Sequence, residues 1–232
     1  MSSSLTISAP LPGWEPEPLP GKLIVLEGTD AVGRSTQIAI LREWLEAEGF
    51  GVATTALARS TLAGAGLRKA MDGHTLDEIT FALFYCTDFA DRLERDVIPA
   101  LRAGQIVLAD RYILSLMARS IVRGVPLEWL QTLYGFALKP DLVIYLKADV
   151  AALVRRVVSR GRGFEWWESG LDFLTERSPY RSFQEYQKRV LASFEKLGEI
   201  YPFTTIVATG EVANVNKQLR EVITPLLGTL PG

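Results

Sequence analysis

The stretch Gly28-Thr-Asp-Ala-Val-Gly33-Arg34-Ser35-Thr36, set between an apolar run and an amphipathic segment, constrains this chain more than any other feature. It fits the phosphate-loop pattern G-x-x-x-x-G-[K]-[ST] at every position except the lysine. Gly28 and Gly33 let the backbone wrap closely, so the N–H groups of Thr29, Asp30, Ala31, Val32 and their neighbours point at phosphate oxygens. A helix opening near Arg34 adds its positive end. The Ser35 hydroxyl suits a Mg²⁺ ion that also takes nucleotide oxygens and water. Arg34 keeps the positive charge of the usual lysine but is longer and planar, so the exchange is not neutral. The competing reading is a glycine-rich strand-to-helix turn that binds nothing.

The surrounding pattern predicts alternating strands and helices. Apolar runs at Lys22–Glu27, Gly51–Thr55, Gln105–Asp110, Asp141–Leu146 and Phe203–Val207 read as strands. Helical segments are expected at Ser35–Glu48, Leu62–Met71, Leu76–Ala103 with a break near Pro99, Ile113–Val122, Leu127–Leu138, Val150–Arg160, Ser182–Leu197 and Glu211–Leu227. Gly161–Gly170 reads as irregular. The alternation predicts a three-layer α/β fold, a five-stranded parallel sheet with helices on both faces. Ligands bind such folds beyond the carboxyl ends of the strands, where Glu27-Gly28 and Asp110-Arg111 both fall. Two separate stretches of sequence thus point at one crevice.

Composition narrows the function. With 232 residues and 48% apolar residues, residues 21–232 are ample for a single domain, whereas the proline-rich stretch 1–20 reads as a disordered tail. The net charge of −2 gives no sign of a nucleic-acid partner, though an arginine cluster could still hold a small anion. No apolar run reaches the roughly twenty residues of a membrane span, and the start of the chain does not read as a signal peptide. A single cysteine, Cys86, permits no internal disulfide and fits a reducing cytoplasm. The only histidine, His74, lies in Asp72-Gly73-His74-Thr75, which reads as a solvated turn.

Beyond the loop, the chain resembles the thymidylate kinase family. Glu27-Gly28-Thr29-Asp30…Gly33-Arg34-Ser35-Thr36 is similar to that family's E-G-x-D/E-x-x-G-K-S/T, and Asp110-Arg111-Tyr112-Ile-Leu-Ser115-Leu-Met-Ala118 to its D-R-Y-x-x-S-x-x-A. Arg59-Ser60-Thr61, Lys139-Pro140-Asp141-Leu142 and Arg160-Gly161…Glu165…Glu168 also fit, over about Gly21–Ile223. The resemblance implies a P-loop kinase fold with a small lid at about residues 160–172. It also implies transfer of the γ-phosphoryl of ATP to dTMP with Mg²⁺, and dimers formed through helices. Ile79–Phe89 suits such a dimer contact or core burial equally. Under the resemblance, Asp30 holds the acceptor sugar, and Arg59 and Arg111 grip its phosphate, beside Tyr112. Ser35 and Asp110 serve the metal, Phe84 stacks on the base, and Arg160 and Arg162 close over the phosphates as Arg34 does from below.

Departures gather on the acceptor side. The family's arginine-(Phe or Glu)-Pro is replaced by Thr55-Ala56-Leu57, its base-reading arginine falls on Asp88 or Phe89, and its lid arginine on Trp166. Leu114 replaces a polar residue, and Arg92, one turn beyond Asp88, is the substitute base reader. Two other readings stay open: a non-catalytic nucleotide binder, and a kinase of deoxynucleosides or other small alcohols. Trp166-Trp167 fits a lid contact, a dimer contact or a cover for the core.

Overall fold

The computed structural model describes residues 19–161 and 163–228. The expected tail lies almost wholly outside these residues, as does Arg162.

Five strands alternate with helices: β1 (Lys22–Gly28), α1 (Arg34–Ala47), β2 (Val52–Ala56), α2 (Gly64–Asp72), α3 (Glu78–Arg92), α4 (Ile98–Arg102), β3 (Ile106–Asp110), α5 (Ile113–Ile121), α6 (Leu127–Leu133), β4 (Leu142–Lys147), α7 (Val150–Ser159), α8 (Pro179–Gly198), β5 (Thr204–Val207) and α9 (Val212–Leu227). The strands form one parallel sheet in the order β2-β3-β1-β4-β5. This is the expected α/β arrangement. β1 is central, and its end lies beside that of β3, with Leu26 opposite Asp110.

Two-residue periodicity divides each strand between two cores. Leu23 and Val25 of β1, with Val107, Ala109, Val143 and Tyr145, face α3, α5 and most of α8. Ile24 and Leu26, with Ile106, Leu108, Ile144 and Leu146, face α1, α7 and α9. Burial on both sides explains why these strands read as unbroken apolar runs. On α1, Ile38, Leu41 and Leu45 recur at helical spacing and are buried. Each such aliphatic side chain contributes about 2 kcal/mol by leaving water.

Two boundary expectations are corrected. The helix of residues 78–102 does not break at Pro99. A π-helical turn, Leu93–Val97, precedes α4, and Pro99 sits in its first turn, where a missing N–H costs little. α6 ends at Leu133 rather than Leu138, because Tyr134 and Gly135 close it with a turn.

Candidate active site

The β1–α1 loop has the backbone that its glycines demand. Gly28 has φ 147, and a Cβ there would stand 2.6 Å from the Leu146 carbonyl oxygen. Gly33, at φ 101, turns the chain into α1, whose first residue is Arg34. Four non-glycine residues among those described also carry left-handed φ: Ala31, Ala58, His74 and Arg111. All but His74 line one cavity of about 970 Å³ beyond the ends of β1, β2 and β3. L-residues enter this region at a cost of about 1 kcal/mol or more, so backbone strain gathers where the cavity is shaped.

At the β1–β3 end of this cavity, three side chains converge. Arg34 Nε donates to Asp110 Oδ1 at 2.7 Å, and its Nη1 to the carbonyls of Gly28 (2.7 Å) and Thr29. Ser35 Oγ donates to Asp110 Oδ2 at 2.7 Å. Burial alone would raise the Asp110 carboxyl, but Arg34, Arg111 and Ser35 outweigh it and hold it below its ordinary value. A hydroxyl beside an ionised carboxylate is a hard-oxygen pair of the kind Mg²⁺ prefers, so these residues fit that ion.

Farther in stands Asp30, buried and ionised. Arg111 Nη2 donates to its Oδ1, as does Arg119 Nη2 at 2.5 Å, while Gln187 Nε2 approaches Oδ2 at 3.4 Å. Burial would raise this carboxyl, but Arg119 and Arg111 prevail and hold it well below the carboxylate range. Arg111, though paired, is lowered to about 10, because burial and the neighbouring Arg34 outweigh Asp30. Glu168, on the segment between α7 and α8, faces the same cavity. Burial, with Asp30 and Glu165 nearby, raises it to about 7. Arg119 Nε, Gln187 Oε1 and Thr29 Oγ1 are buried without a partner among the described residues.

Arg119 and Gln187 were not foreseen. A signal for Arg119 exists, since Ser115 and Arg119 are four residues apart on one face of α5, directly after Arg111 at the exit of β3. Glu27 also escaped notice as a side chain. Fully buried, it accepts from the backbone N–H groups of Tyr112, Leu114 and Ser115 and from the Ser115 hydroxyl. A carboxylate thus caps the start of α5 and ties β1 to β3's exit.

Other expected residues divide. Arg59, which is exposed, and Arg160 both line the cavity, and Arg160 Nη1 lies 3.9 Å from Glu168 Oε2. Arg92 is buried, with Nε on Asp88 at 3.0 Å and Nη1 on Thr55 at 2.9 Å, and it borders a neighbouring cavity of about 610 Å³ with Ser35, Arg59 and Asp110. Asp88 in turn accepts the N–H groups of Ala58 and Ser60, so the pair anchors the loop that carries Arg59. Tyr112 is buried, its hydroxyl given to the Leu138 carbonyl at 3.1 Å inside the core. Phe84 packs half-buried against the core and does not line the cavity. Trp167 covers the core, its indole N–H on the Met71 carbonyl, whereas Trp166 stacks on exposed His74 with ring centres 4.2 Å apart.

A second cavity, about 320 Å³, lies on the other side of the loop. Gly33, Thr36, Arg156, Ala208 and Val212 line it, and Arg160 faces both cavities. Arg156 fixes its wall by donating to the carbonyls of Val32 (2.7 Å) and Ala208.

The sequence model of the thymidylate kinase family matches residues 26–219. A protein named probable thymidylate kinase 2 from Saccharolobus solfataricus is 32% identical over 204 residues, covering 88% of this chain and 95% of its own. A probable thymidylate kinase of Thermococcus kodakarensis is 33% identical over 215 residues, covering 88% and 98%. The thymidylate kinase of Caldicellulosiruptor saccharolyticus is 34% identical over 213 residues, covering 89% and 98%. With this match spanning both the phosphate loop and the Asp110-Arg111 strand end, the chain belongs to the thymidylate kinase family.

Proposed function

We propose that this chain transfers the γ-phosphoryl group of ATP to dTMP, giving ADP and dTDP. The observation that carries the proposal is the meeting of the β1–α1 loop, Arg59, Asp110 and Arg111 around one cavity. The named relatives do not favour a non-catalytic binder or a kinase of other acceptors.

In this reading the N–H groups of residues 28–36 and the N-terminus of α1 receive the ATP phosphates. The 320 Å³ cavity beside Thr36 and Arg156 takes the donor's base. Arg111 and Arg59 hold the acceptor phosphate as guanidinium forks, and Asp30 meets the acceptor sugar. Arg160, which faces both cavities, is placed to offset charge on the transferred group; Arg162 is proposed to assist it. Ser35 and Asp110 would hold Mg²⁺, which when bound neutralises charge on the phosphates. The segment of about residues 160–172 serves as the lid of a single domain spanning 21–232.

Two broader points belong to the same proposal. The chain pairs with a second copy through α3, where Ile79 and Leu83 stand one turn apart and nearly half exposed. It works in the cytoplasm, which suits its lone, buried Cys86 thiol, raised to about 11 by burial.

The test is ADP formation from Mg-ATP against a panel of nucleoside monophosphates and deoxynucleosides. dTMP should give the highest kcat/KM. Absence of any acceptor-dependent ADP from clean protein overturns the proposal.

A further inference from the structure

We infer that Arg34 is a built-in counter-cation that occupies the metal site of the free protein, so that metal and nucleotide enter together. Both oxygens of Asp110 are engaged: Oδ1 by Arg34 Nε and Oδ2 by the Ser35 hydroxyl, each at 2.7 Å. The same guanidinium reaches the carbonyls of Gly28 and Thr29, and it is 8% exposed. One planar cation therefore satisfies a carboxylate and two carbonyls of its own loop. A lysine, with one compact ammonium on a flexible stem, has no rigid fork with which to span these groups.

The consequence is electrostatic. A divalent ion approaching Ser35 and Asp110 meets a guanidinium within hydrogen-bonding distance of the same carboxylate, and like charges oppose it. A triphosphate changes the balance. It offers several charged oxygens to the fork, and charge-assisted bonds to phosphate are stronger than bonds to neutral carbonyls. As Arg34 turns to the phosphates, Asp110 Oδ1 is released to the metal. Nucleotide thereby raises metal affinity, and by linkage metal raises nucleotide affinity by the same factor. The inference rests on the proposed kinase reading for the identities of nucleotide and metal; the contacts of Arg34 stand apart from it.

Mn²⁺ binding, followed by electron paramagnetic resonance on the full chain, tests it. Without nucleotide the protein should bind Mn²⁺ weakly; Arg34→Met should bind it about tenfold more tightly, and Arg34→Lys, which keeps a charge but loses the fork, more tightly than the unaltered protein by a smaller factor. A non-hydrolysable ATP analogue should tighten Mn²⁺ binding by about tenfold or more in the unaltered protein and far less in Arg34→Met. Adding Asp110→Asn to Arg34→Met should abolish the gain. Circular dichroism checks that each variant is folded, and Arg34→Lys carries the test should the methionine variant fail to fold. Folded variants that bind Mn²⁺ no more tightly than the unaltered protein overturn the inference, as does a gain that survives Asp110→Asn. ADP formation is measured separately. Its absence beside the expected Mn²⁺ results overturns only the kinase reading, whereas turnover beside unchanged Mn²⁺ binding overturns only the inference.

Discussion

Along the 970 Å³ cavity, the β1–α1 loop supplies a contiguous stretch of chain, with Asp30, Ala31, Gly33, Arg34, Ser35 and Thr36 at the surface of the cavity. The far end, around Asp30, presents side chains: Arg111 from the exit of β3, Arg119 from α5, Gln187 from α8 and Glu168 from the segment before it. The loop end rests on φ values that few residues tolerate, and so resists change at its glycines. The Asp30 end rests on balanced charge, with two guanidinia on one carboxylate oxygen. Its properties can be tuned one residue at a time. That difference fits a protein whose departures from its family concentrate on the acceptor side, with Arg34 the departure in the loop.

The sharpest way to break this comparison is Arg111→Ala. Arg111 serves both ends, donating to the Gly28 carbonyl and to Asp30. If the ends act separately, kcat/KM for dTMP should fall by about 10²–10³-fold while ATP affinity by calorimetry changes little. An equal collapse of ATP binding would show that the two ends are one unit.

The next largest effect concerns the scaffold of Arg59. Asp88→Ala frees the Ala58 and Ser60 N–H groups and leaves Arg92, 2% exposed, without its carboxylate. Stability in urea unfolding should fall by about 3 kcal/mol, and the acceptor KM should rise. The double change Asp88→Leu with Arg92→Met should cost less than the single one, because no buried charge is stranded.

The smallest effect sharpens the picture of the Asp30 end. Glu168 is raised from its ordinary 4.5 to about 7, chiefly by burial. A carboxyl with a raised folded value binds more protons when folded. It therefore favours the fold at low pH and withdraws that support as pH rises from about 4.5 through 7, by at most about 3 kcal/mol. Glu168→Gln should flatten this loss in unfolding measured at pH 5 and pH 8. An unchanged pH slope would mean that burial does not raise the Glu168 carboxyl in the folded protein.

Much of this was legible in advance because the signals are local. The five strands are short apolar runs with punctuating glycines, and the phosphate loop is contiguous, so its spacing alone specifies a backbone shape. Asp88 and Arg92 were only partly legible, for the complementary reason. Their i,i+4 spacing correctly places them together on α3, but it cannot say that the Ala58–Ser60 loop folds over them and consumes the carboxylate. Tyr112 likewise follows Arg111 in a substrate-facing motif, yet extended φ and ψ at that residue send its ring into the core.

By itself, then, the sequence determined the α/β alternation, the sheet's buried strands and the loop at Gly28–Thr36, since each depends on neighbours within a few positions. Only the tertiary structure decided that Arg34 turns onto Asp110, that Arg119 shares Asp30 with Arg111, and that Glu27 caps α5. Those contacts join residues 76 to 89 positions apart, and charged side chains choose partners by three-dimensional proximity in a low-dielectric interior, which local pattern does not encode.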